Sequence, residues 1–334
     1  MRVRIALALT ATAALTLSAC STGDSGGTAD SGDAAVGGGV SLVATTTPLG
    51  SVTSQIAACA GGESATLMPV GADPHDFSPS SAQVADMVKA DLVVANGLGL
   101  EGGLDASLAQ VEEDGAEVLH VAEGVDPLPF GDGEAETGHE GETAEEHAAH
   151  AGEDEHGHGD LDPHFWLDAA RMADAARLIG DAAAERGGGD RWSECGGEVA
   201  EELDALDGEL RETLSAVPED RRSLVTDHES FAYFNAAYGF RSEGVVVPGG
   251  STEAQSSSQD LARLAGVIED AGVPAIFSNV AVNDSLVEAL AAEVGEEVAV
   301  VPLYVGSVGP EGSPAADYQG MMRENARLIV EALA

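Results

Sequence analysis

The sequence predicts an α/β protein of two lobes, each a mostly parallel β-sheet flanked by helices, joined by one long rigid helix. Three observations carry that expectation. From residue 40 onward short β-branched runs alternate with helical stretches, the rhythm of strand–helix–strand units in a parallel sheet. A long helical pattern follows the middle of the chain. The strand–helix rhythm then restarts and continues to the C-terminus.

The elements follow in order. Residues 1–19 read as a signal peptide: Arg2 and Arg4 precede an apolar run over 5–17 that is too short for a good membrane span. Leu17-Ser18-Ala19-Cys20 resembles the bacterial lipobox, which implies that Cys20 is the lipid anchor and the first mature residue. Residues 20–39 are almost wholly Ser, Gly, Asp, Ala and Thr, a flexible linker that buries no core. The expected location is extracytoplasmic, on the outer face of the cell membrane, held there through the lipid.

The first lobe is expected over 40–189, with strands at 40–47, 65–70, 91–96 and 117–121 and helices at 49–60, 80–89 and 104–113. A helix over 168–186 stops at Gly187-Gly188-Gly189. The linking segment, 190–217, places Leu203, Leu206 and Leu210 on one helical face and ends at Pro218. The second lobe, 218–334, carries strands at 223–226, 245–247, 275–278 and 298–304, and helices at 230–238, 257–271, 284–294 and 315–333. A cleft between two such lobes is a natural ligand site.

Charge narrows the function. The 334 residues carry 59 acidic side chains against 14 Lys and Arg, and Lys89 is the only lysine. A net charge of −45 excludes nucleic-acid binding, which needs a basic face for phosphate. It attracts cations instead. Within the first lobe, 131–160 is an acid-rich tract of low complexity that holds His139, His147, His150, His156 and His158. Such a tract reads as a weak metal-collecting loop, not a specific site.

Three further histidines stand at strand ends or helix starts, where α/β folds place ligand groups. His75 lies in Gly71-Ala72-Asp73-Pro74-His75, His164 in Asp162-Pro163-His164-Phe165-Trp166-Leu167-Asp168, and His228 in Asp227-His228-Glu229. Two belong to the first lobe and one to the second, so all three are placed to meet in the cleft. His120 falls within a strand pattern and reads as structural.

These motifs, with Ala90-Asp91-Leu92-Val93, Asn96-Gly97 and Phe231-Ala232-Tyr233-Phe234 followed by Tyr238-Gly239, occur in the order of a known family. The sequence resembles the cluster A-I solute-binding lipoproteins of bacterial ABC importers, which bind zinc or manganese. The resemblance spans nearly the whole mature chain. It implies His75, His164 and His228 as metal ligands, an ABC permease as partner, and no enzymatic turnover. The chain departs from the family where many members carry an aspartate after a Leu-Tyr pair: here Leu303-Tyr304 leads to Val305-Gly306. Asn279 likewise stands where a glutamate is common, which leaves the fourth ligand open.

Three imidazoles with few carboxylates suit Zn2+ better than Mn2+, which favours oxygen ligands. Cys59 and Cys195 are the cysteines left after lipidation and are a candidate disulfide in an oxidising compartment. The expected protein is a monomeric metal receptor. Two other readings are weighed beside it: a zinc hydrolase with Glu229 or Asp227 as general base, and a surface adhesin or metal buffer without a permease. No His-Glu-x-x-His helix supports the hydrolase.

Overall fold

A computed structural model describes residues 39–130, 161–252, 256–282, 285–294 and 298–334. The signal peptide, Cys20, most of the linker and the tract with His139, His147, His150, His156 and His158 lie outside the described residues.

In the first lobe β1 (Ser41–Ala44), β2 (Glu63–Thr66), β3 (Leu92–Ala95) and β4 (Val118–His120) form a parallel sheet in the order β2-β1-β3-β4. The crossovers carry α1 (Thr47–Ala60), α2 (Ser81–Met87) and α3 (Asp105–Glu113). Leu92-Val93-Val94-Ala95 is buried on both faces, as an apolar run in a central parallel strand requires.

The second lobe repeats the plan. Strands β5 (Ser223–Thr226), β6 (Arg241–Val245), β7 (Ala275–Asn279) and β8 (Ala299–Leu303) pair in the order β6-β5-β7-β8, all parallel. Here α6 (Ala232–Tyr238), α7 (Ser258–Ala271), α8 (Ser285–Val294) and α9 (Tyr318–Leu333) flank them. Each sheet therefore reverses its winding between its first and third strands. The crevice outside the carboxyl ends of those strands is where open α/β sheets bind ligands.

Between the sheets run α4 (Ala169–Ala183) and α5 (Asp190–Leu214). Trp192, Cys195, Val199, Leu203, Leu206, Leu210 and Leu214 form the buried stripe of α5. Its 25 residues span about 38 Å, enough to pack on α1 of the first lobe and α9 of the second. Cys59 of α1 and Cys195 of α5 are disulfide-bonded, with Cα atoms 5.8 Å apart, so the candidate pair is formed. The tightest approach is glycine on glycine. A Cβ on Gly196 of α5 would stand 2.7 Å from the Ala176 carbonyl and 2.9 Å from Gly180 Cα.

Most strands are a little shorter than their sequence-based limits, and two are displaced from them. The run expected at 65–70 pairs two residues earlier, because β2 takes its register from β1, Ser41 opposite Glu63. Pro69 has no N–H to give a ladder, and Leu67 and Met68 are buried as the chain leaves the sheet. The strand expected at 245–247 is Arg241–Val245 instead. It is an edge strand, and its polar residues hide it from a hydrophobicity pattern.

Gly196→Ala should lower unfolding stability by about 1–3 kcal/mol in urea titration, since neither helix backbone has room to give. A stability equal to the native chain would show that α4 and α5 are not held at this contact.

Candidate metal site

Two aspartate–proline–histidine sequences build the first-lobe half of the site in the same way. The Asp73 carboxylate accepts from the backbone N–H of His75 (3.0 Å), and the Asp162 carboxylate from that of His164 (2.9 Å). Each is a turn closed by an aspartate on the amide two residues on, with proline restricting the residue between. His75 lies between β2 and α2, and His164 just before a short 3-10 turn that leads into α4. In the second lobe β5 ends at Thr226, whose hydroxyl donates to the His228 carbonyl (2.9 Å).

The three imidazoles meet. His75 is 5 % exposed, His164 and His228 1 % each. Nε2 of His164 lies 3.4 Å from Nε2 of His75 and 3.3 Å from Nε2 of His228. Zinc–imidazole bonds of about 2.0–2.1 Å at tetrahedral angles put neighbouring nitrogens about 3.3–3.4 Å apart. Right-angled ligands at this spacing would need bonds of about 2.4 Å, longer than zinc makes to nitrogen. The rings are thus set at the edge length of a zinc tetrahedron.

Carboxylates stand behind the rings. Asp162 Oδ1 is 2.7 Å from Nδ1 of His164, and Asp227 Oδ1 is 3.1 Å from Nδ1 of His228. Each orients its ring and raises its basicity, the arrangement common behind metal-ligating histidines. Burial opposes a charge on His228, but Asp227 beside it, with Asp73 and Asp162, carries its pKa above the ordinary 6.5. Burial raises the pKa of Asp73, against hydrogen bonds from Thr252 and His75. The surroundings favour a cation.

The remaining wall is Pro74, Trp166, Asn279, Val305 and Gly306, around a gap too narrow to admit a water molecule. No carboxylate among the described residues lines it. Gly306 does border the site, but a Cβ there would sit 2.7 Å from Pro74 Cδ. The proline ring fills the place an aspartate side chain would need. Asn279 closes the same side, its Oδ1 accepting from the Ala281 N–H (3.0 Å).

The hydrolase reading fails on geometry. Asp227 faces Nδ1 of His228, behind the ring, and Glu229 is exposed and outside the enclosing wall. His120 stays apart on β4, its Nε2 3.5 Å from Glu112.

Sequence reasoning missed three contacts. The Thr252 hydroxyl donates to Asp73 (2.5 Å), and the Gly71 N–H to Ser307 Oγ (2.8 Å), both across the cleft. The Tyr233 hydroxyl donates to the Asp162 carbonyl (2.7 Å) and accepts from the Leu128 N–H (2.9 Å). Burial pushes that hydroxyl up to about 12, so it stays neutral. Nothing in the spacing of these residues announces partners so distant in sequence.

Comparison with known proteins places the chain. The family model for zinc-uptake complex component A, periplasmic, matches residues 42–332. The manganese-binding lipoprotein MntA of Halalkalibacterium halodurans is 26 % identical over 303 residues, covering 89 % of this chain and 90 % of the relative. The zinc-binding protein TroA of Treponema pallidum is 28 % identical over 304 residues, covering 89 % and 90 %. A solved structure of that periplasmic zinc-binding protein superposes with a TM-score of 0.75 at 26 % identity, covering 89 % of this chain and all of the other.

Single His75→Ala, His164→Ala and His228→Ala variants should each weaken tight zinc binding at least about tenfold in chelator competition, since each removes a nitrogen from the cluster. A variant that binds like the native chain takes its histidine out of the set. Binding should also depend on pH. A metal needs neutral imidazole, and His228 holds its proton above the ordinary pKa. Zinc affinity should therefore fall as pH drops from about 8 to about 6, with protons released on loading. Calorimetry in buffers of different ionisation enthalpy reads the release, and pH-independent binding would refute it.

Proposed function

Because the chain belongs to the zinc-uptake complex component A family, we propose that His75, His164 and His228 hold a zinc ion in the cleft for delivery to a membrane permease. The protein is a metal-binding solute receptor of an ABC importer and not an enzyme. The observation that carries the zinc assignment is the nitrogen triad, with His164 Nε2 at 3.3–3.4 Å from the other two and no carboxylate in the lining. Manganese prefers oxygen ligands and stands low in the general affinity order of divalent ions. The names of similar proteins include both metals, so the preference rests on the donor set.

No described helix is long and apolar enough to cross a membrane. Attachment falls to Cys20, whose acyl chains would hold a monomeric receptor at the outer face while residues 20–39 give it reach. The histidine-rich tract at 131–160 would gather cations weakly for the site.

Dialysis of the full chain against equal zinc and manganese should leave zinc in the tight site by at least about tenfold. Manganese retained at parity would overturn the zinc assignment while leaving the receptor role intact.

A further inference from the structure

Glu101 is fully buried in the first lobe, 2 % exposed, and does not line the metal site. Its Oε1 accepts from the Thr45 hydroxyl (2.6 Å) and the Asn96 N–H (2.8 Å), and its Oε2 from the Gly97 N–H (3.1 Å). Thr45 follows β1 and Asn96 follows β3. The carboxylate therefore ties together the ends of the two strands that flank the lobe's winding reversal.

The turn it closes is a strained one. Gly97, Leu98 and Gly99 all take positive φ, at 86°, 54° and 73°. For leucine that costs about 1–2 kcal/mol, and such a conformation persists only where its surroundings over-determine it. Burial pushes the Glu101 carboxyl up, against the three donors aimed at it. A buried carboxylate is seldom the cheapest way to stabilise a core. Geometry is the remaining reason to keep one.

That geometry leads to the metal site. The Asn96 side-chain N–H donates to the Pro163 carbonyl (3.0 Å) and the Gly97 carbonyl (3.3 Å), and two carbonyl partners fix which end of the amide is nitrogen. The Asn96 carbonyl in turn accepts from the Ala122 N–H (2.9 Å). Pro163 is the middle residue of the turn that Asp162 closes on His164. Asp162 holds that turn from inside and Asn96 holds it from the lobe.

We infer that Glu101 and Asn96 are a positioning pair for the metal site: Glu101 sets the Asn96–Gly97 turn, and Asn96 carries that setting through Pro163 to His164. The inference rests on the reading of His164 as a metal ligand. Neither residue touches the cargo.

In the full chain, Glu101→Gln and Asn96→Ala should each weaken zinc binding about tenfold, the lower range for losing an outer partner of a metal-ligating histidine. Each should also shift the visible absorption of the protein loaded with cobalt alone, which reports ligand geometry. The double variant should be no weaker than the worse single one, since both act through one route. Leu210→Ala, in α5 and outside this network, provides the comparison: it should lose unfolding stability while keeping native zinc affinity and cobalt spectrum. Chelator competition and spectroscopy are run well below each unfolding midpoint. Native affinity and spectrum in both network variants, or fully additive losses in the double, would overturn the inference and leave the three-histidine site standing. Failure of the native chain to hold zinc or cobalt would remove the site and the inference together.

Discussion

Nε2 of His164 lies within 3.3–3.4 Å of Nε2 of both His75 and His228, in a space too narrow for water, and this crowding of buried ring nitrogens is what the rest of the structure serves. A carboxylate beside Nδ1 of His164 and of His228 keeps a proton on that outer nitrogen. Their Nε2 lone pairs are thereby turned toward each other. A positive species between the rings, a shared proton or a metal ion, relieves the repulsion. The upward shift of His228 is the proton's version of that relief. A divalent ion does the same more fully, because it bonds all three nitrogens at once and does not need the water that the site excludes.

The scaffold exists to enforce that crowding. Each sheet has the same strand order, and His75 and His228 lie beyond the carboxyl ends of β2 and β5, with His164 at the turn that leads into α4. The lobes face one another across a helix pair with no slack, where Gly180 and Gly196 bring α4 and α5 to backbone contact. The disulfide adds a tie between α1 and α5 across a sequence separation of 136. In the chain-entropy account a closure of that length contributes about 4–5 kcal/mol by restricting the unfolded chain. These constraints act far from the cleft, yet they fix how closely His228 approaches His75 and His164.

Much of this was legible in the sequence, and the reasons are local. Two of the three histidines betray themselves because Asp-Pro-His is a turn with its own chemistry, written in consecutive letters. Two parallel sheets are legible because buried central strands such as Leu92–Ala95 and Ser223–Thr226 must be nearly continuous apolar or β-branched runs. The edge strand β6 largely escaped, because its exposed polar residues need no such run. The cross-cleft bonds of Thr252 and Ser307 escaped for a different reason. A hydroxyl that finds its acceptor 179 residues away leaves no periodicity behind. Gly306 was readable as a departure, but only the structure shows Pro74 filling the space.

On the proposed reading, the division of the three histidines between lobes would also determine how the cargo leaves. Two nitrogens come from the first lobe and one from the second, so any movement that parts the lobes withdraws His228 from the other two. Several hydrogen bonds cross the cleft beside the site: Thr252 to Asp73, Gly71 to Ser307, Trp166 to Val305, and Tyr233 to Leu128 and Asp162, each worth about 1 kcal/mol net. A bound ion would add to these links, and loading favours the closed form by mass action. Opening undoes the site twice over. The Thr252 hydroxyl is bonded to the same Asp73 carboxylate that closes the turn under His75. A parting of the lobes that takes away His228 also removes a hydrogen bond from the turn that aims His75, leaving His164, braced by Asp162 and Asn96, as the most firmly held nitrogen.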